Sequence, residues 1–155
     1  MKNLRTSFMC VCMIAYSVCS FGQSGDAPLN EPNPNKPRLF TSLPEQINVD
    51  VAVFGQLLNT TVGTSVNIPV SAAFRFQGHV VSAVSKYGNS IRSVVVRSIN
   101  YTGASLTISR ITDGDGLVSY TGRIISMAHG DLYELKNQNG QYSFVKKTFY
   151  ELLNE

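Results

Sequence analysis

The chain contains no tryptophan, and its three cysteines, Cys10, Cys12 and Cys19, all lie near the N-terminus. From Ser20 onward there is no thiol. That excludes a disulfide-stapled scaffold and a cysteine nucleophile or thiolate metal site from that part of the chain. Charge is also scarce, at 15% of residues. Catalytic centres need clustered ionisable groups, so this thin supply argues against an enzyme. Neither sign dominates. Thirteen basic residues face ten acidic ones, and two of the basic ones, Lys2 and Arg5, belong to the extreme N-terminus. Such a balance lacks the basic footprint of a nucleic-acid binder and gives no strong pull toward anionic lipid. Long hydrophobic runs are missing too. The apolar stretch 8–18 falls well short of the roughly 20 residues that a spanning helix needs, and no later segment approaches that length, so no transmembrane span is expected in the mature chain.

What the N-terminus does have is the three-part layout of a secretory signal. Lys2 and Arg5 are the positive start, residues 8–18 the apolar middle, and Ser20 and Gly22 the small residues before a cut at Gln23. Residues 1–22 are therefore expected to be a cleaved signal peptide, with the remainder secreted or periplasmic. Lipid anchoring through Cys19 is the rival. Tyr16 and Val18 sit where a lipoprotein signal carries an aliphatic and a small residue, so cleavage near Gln23 is the better reading. Residues 23–38 hold four prolines and three asparagines with few apolar side chains, and they are expected to be a linker rather than part of a core. A single β-rich domain is expected over 39–155, large enough to bury its own core.

Within 47–58 two patterns overlap. Ile47, Val49, Val51 and Val53 alternate as in a strand, while Val51, Phe54, Leu57 and Leu58 fit one face of a helix. A short helix ending near Asn59 is the preferred expectation. From Ser65 onward apolar residues recur at every second position, punctuated by turn clusters at 87–90, 100–103, 112–116 and 137–140. This predicts an antiparallel meander of about seven strands, forming a small barrel or a two-layer sheet. Gly78 and Gly122 interrupt long strands, as bulges or tight bends require. Thr148 followed three residues later by Glu151 matches a capping box and predicts a short C-terminal helix over 149–154.

The chemistry-bearing candidates are weak. His129-Gly130-Asp131 is the most enzyme-like triplet, because a histidine oriented by a carboxylate can act as a general base or bind metal. No nucleophile motif accompanies it, and no serine sits in a G-x-S-x-G elbow. A zinc site from His79, His129 and a carboxylate lacks the usual ligand spacing. Asp113-Gly114-Asp115-Gly116 has the look of a calcium loop, but apolar Leu117 and Ile124 occupy the fifth and twelfth positions of an EF-hand count; a plain turn is the simpler account. Nothing calls for a cofactor. Arg92, Arg97, Arg110, Arg123, Lys146 and Lys147 lie on neighbouring strands and would attract anions if they shared a face. The tyrosines Tyr87, Tyr101, Tyr120, Tyr133, Tyr142 and Tyr150 suit either a binding face or a core.

These observations favour a non-enzymatic interaction domain. Its partner would be another exported protein or peptide, docking at a sheet edge or barrel mouth, and the chain would thereby regulate or assist that protein. Two alternatives stand beside it. One is a barrel that carries a small ligand among Phe74, Phe76, Ile108, Ile124 and Phe144. The other is a hydrolase with its site around His129 and Asp131.

Overall fold

A computed structural model describes residues 37–72 and 74–148. They form one antiparallel sheet of eight strands, curled into a half-barrel, with one short helix. The strands are β1 (Gln46–Asn48), β2 (Ser65–Pro69), β3 (Arg75–Lys86), β4 (Ile91–Ser98), β5 (Ser105–Thr112), β6 (Val118–Ser126), β7 (Asp131–Gln138) and β8 (Gln141–Thr148). Strands β2 to β8 are a simple meander, each paired with the next. β1 then lies against β8, so β1 and β2 are the two edges.

The chain runs from one edge to the other through helix α1 (Val51–Leu57). Both readings of segment 47–58 therefore hold, one after the other. Ile47 is the buried residue of β1, between exposed Gln46 and Asn48, and pairs with Phe144. Asp50 then starts the helix, its carboxylate accepting from the Ala52 N–H at 2.9 Å, as a helix cap does. Phe54 and Leu57 form the buried face of α1. β1 is the strand missing from the expected seven. Where a small barrel or a two-layer sheet is expected, the described residues form a single sheet curled into a half-barrel. The helix expected over 149–154 lies outside the described residues.

Alternation decides what fills the curl. On the concave side Ile68, Phe76, Val80, Val94, Val96, Leu106, Ile108, Ile124, Tyr133 and Phe144 are all buried in one apolar cluster. Phe54 reaches in from α1 and meets the rings of Tyr120 and Phe144 at 5.9 and 6.2 Å. At the far end Phe40 and Phe74 pack on Tyr101 and Tyr133, with ring centroids 5.4–6.4 Å apart. Burial of this many large side chains is the main source of stability.

Two glycines permit the curvature. Gly78 and Gly122 sit at concave positions, where a Cβ would strike the neighbouring strand. At Gly78 it would meet the Arg97 carbonyl oxygen and, at 2.7 Å, Val96 Cγ1; at Gly122 it would meet Ile108 Cδ1 at 2.6 Å and Thr107 O at 2.7 Å. Both therefore mark tight bends. The bulge of β3 lies three residues on, where the register shifts between Val80 and Ser82. The β7–β8 hairpin closes on Asn139 and Gly140, with φ of 53° and 86°. This is the double left-handed turn that matches strand twist.

Gly78→Ala and Gly122→Ala are each expected to destabilise the fold by about 1–3 kcal/mol through overpacking. Gly114→Ala, where nothing lies within 4 Å, should change stability by less than about 0.5 kcal/mol. Urea unfolding of the three variants measures the difference.

Candidate functional site

The most enzyme-like residues fall at the turn between β6 and β7. Met127–His129 form a single 3-10 turn that ends on Gly130 at φ 66°. His129 Nδ1 lies 2.8 Å from Ser126 Oγ, within its own turn. Asp131 is engaged elsewhere. It is 3% exposed, and its Oδ2 accepts from the backbone N–H groups of Leu39 and Phe40. The carboxylate therefore clamps the segment entering the domain instead of orienting the imidazole. Ser126 is fully buried, so its hydroxyl cannot meet a substrate.

A cavity of about 270 Å³ opens beside this clamp, lined by Arg38, Phe40, Thr41, Glu45, Asp131, Lys146, Lys147 and Thr148. Its polar groups are largely engaged in holding segment 38–45. Lys146 Nζ donates to Leu43 O at 2.7 Å and pairs with Glu45 at 3.1 Å. The Tyr133 hydroxyl donates to Pro44 O at 2.5 Å. Burial, with the negative charges of Glu45 and Asp131 nearby, pushes the Tyr133 phenol up to about 12. It remains a protonated donor under ordinary conditions.

The other candidates are spread apart. His79 is exposed on β3, with Nδ1 3.0 Å from Ser65 Oγ of the paired strand. Asp113 folds its own loop. Its Oδ1 accepts from the N–H groups of Asp115 at 3.1 Å and Leu117 at 2.8 Å, an Asx turn. No group of three or more His, Cys, Asp or Glu among the described residues is placed to hold a metal ion. The carrier residues Phe74, Phe76, Ile108, Ile124 and Phe144 are each fully buried, packed against one another in the cluster that fills the curl.

The basic residues divide between faces. Arg97 and Arg123 alternate out of phase with the buried residues of β4 and β6 and lie on the convex side, with Lys147. There Glu134 lies 2.8 Å from Lys136 and 3.4 Å from Lys147. Burial would raise its pKa, but the two lysines overcome that and hold it below the usual carboxylate range. Arg92 and Arg110 alternate in phase with the buried residues and share the concave side. The tyrosines are mostly core. Tyr133 and Tyr142 are buried, Tyr101 and Tyr120 pack against the cluster, and Tyr87 alone among those described is largely exposed, at 77%. Tyr150 lies outside the described residues.

What the titratable groups do not supply, the sheet edge does. β2 pairs with β3 only as far as His79. The contacts of Gly63 N with Val80 O and of Val80 N with Thr64 O extend the cover by one residue. Past the bulge, residues 82–86 are paired with β4 on one side, and no described strand lies on the other. No known protein family, curated protein or solved structure matches the chain.

Sequence reasoning missed two contributors. The bulge at Val81 uncovers the edge, and its one trace is the adjacent pair Val80-Val81, which breaks the alternation. Asn100 holds the β4–β5 turn to the preceding strand. It accepts from Gln77 N and Ser98 Oγ, both at 3.0 Å, and donates to Arg75 O at 2.8 Å.

Asp131→Ala is expected to cost about 2–3 kcal/mol, because it leaves two backbone donors of segment 38–40 without their acceptor. His129→Ala should cost under about 1 kcal/mol. Thermal unfolding distinguishes this clamp from a catalytic pair, which stability alone would not need.

Proposed function

We propose that this chain is an exported, non-enzymatic interaction domain that docks an extended segment of another exported protein or peptide on the uncovered edge of β3. Export is inferred from the three-part leader at 1–22 and from the absence of thiols beyond it. The docking mode rests on one observation: residues 82–86 offer one row of backbone N–H and C=O groups that no described strand pairs. An exposed strand edge is a template for a further strand, with the main chain supplying affinity and alternate side chains supplying selectivity.

Apolar surface accompanies the edge. Val81 and Val84 are 39% and 44% exposed, and Tyr87 stands at the hairpin tip. By contrast, His129 and Asp131 are both occupied in local structure, which supports a binding role over hydrolysis. The opposite edge offers less. There the outermost strand is β1, only three residues long, and so presents a shorter row than residues 82–86.

The test is a selection of binders from a random peptide library, followed by amide hydrogen exchange of the complexes. New protection concentrated in residues 82–86 is expected. Protection confined to α1, or to the turn at 126–131, would overturn the reading.

A further inference from the structure

Arg92 of β4 and Arg110 of β5 are direct cross-strand partners, and both lie on the concave side near the open end of the curl. Like charges in this relation repel, since directly opposed side chains stand only about 5 Å apart at Cβ. A fold that keeps such a pair usually offsets it with a carboxylate, and none among the described residues does so. The ion pairs among the described residues all use lysine. Glu45 and Glu134 are held by those lysines, Asp131 by backbone N–H groups, and Asp50 and Asp113 by the helix cap and the loop they close; Asp115 is exposed in that same loop and takes part in none of these ion pairs. Arg92 donates to the neutral Asn59 Oδ1 at 2.7 Å. Arg110 has its Nε buried with no acceptor. Two guanidinium groups, one with its Nε desolvated, therefore stand on directly paired positions without a counter-charge among the described residues, which is how a site for an external oxyanion is built.

The position of the pair relative to the free edge identifies the source of that oxyanion. Ser85 faces Arg92 across the ladder, and Arg92 faces Arg110. The order across the concave side is therefore open edge, Ser85, Arg92, Arg110. Ala83 and Ser85 are both exposed, and short side chains there leave the lane to the arginines clear. Strands lie about 4.8 Å apart, so a strand added to β3 would run roughly 10 Å from the backbone of Arg92. A glutamate and an arginine reaching toward each other span that distance.

We propose that the segment docked on β3 is acidic, and that Arg92 and Arg110 together bind one of its carboxylates from the concave side. This rests on the edge-docking reading and adds the chemistry of the partner. Arg97, on the convex face of the same strand as Arg92, is the internal control.

The full chain is titrated with two short blocked peptides at low salt. One alternates threonine and glutamate; the other carries glutamine in place of glutamate. The acidic peptide is expected to bind at least tenfold tighter, with the advantage shrinking as salt rises. Arg92→Gln and Arg110→Gln should each remove most of the advantage, and Arg97→Gln should leave it. Equal binding of the two peptides to the unaltered chain overturns the proposal without recourse to any variant. So does an equal loss in Arg97→Gln. Amide exchange in the same complexes reads the edge separately. Protection of 82–86 by both peptides alike keeps the edge and removes the acidic preference. Arginine-dependent binding without that protection keeps the anion site and removes the edge.

Discussion

The described residues make a single sheet with no second layer, which has to bury one of its faces against itself, and the fold depends on that constraint. Eight strands manage it by curling until the side chains of opposite strands meet, and the apolar cluster from Ile68 to Phe144 is the result. Curling this tightly brings neighbouring backbones too close for a Cβ at two concave positions, which are Gly78 and Gly122. The curl stops short of closure. α1 bridges the open side and Phe54 fills the space that a further strand would have covered.

The same constraint explains why the polar groups with the most chemical promise have little to offer. An incomplete barrel has open ends, and each must be shut by something. Phe40 and Leu43 plug one end, and they stay there because Asp131, Tyr133 and Lys146 all hold the backbone between residues 39 and 45. A buried carboxylate bonded to two backbone N–H groups is well satisfied and is not free to orient an imidazole. Around the β3–β4 hairpin that satisfied network gives out. The unpaired edge of β3 and the uncompensated arginines occupy this same region.

The strand rhythm from Ser65 onward was legible because one face of most strands is buried, which imposes a period of two over most of their length. Asn139-Gly140 and the Asx loop at Asp113 were legible as turns for the same local reason. β1 was legible only in part: Ile47 opens an alternating run, but that run continues into α1, and the pairing of β1 with β8 joins positions nearly a hundred residues apart. The roles of His129 and Asp131 were misleading in sequence because their true partners, Ser126 and the N–H groups of Leu39 and Phe40, leave no pattern around them. The meeting of Arg92 with Arg110 depends on strand register, which follows from the turn at 100–103 and not from either arginine.

Residue-resolved amide exchange of the free monomer tests the account most directly. The account predicts that, within residues 82–86, amides directed away from β4 exchange rapidly, while those of Val94, Val96, Leu106 and Ile108 exchange only through global unfolding. Uniform slow exchange along residues 82–86 in the monomer would mean that the edge is already covered, and would contradict the account.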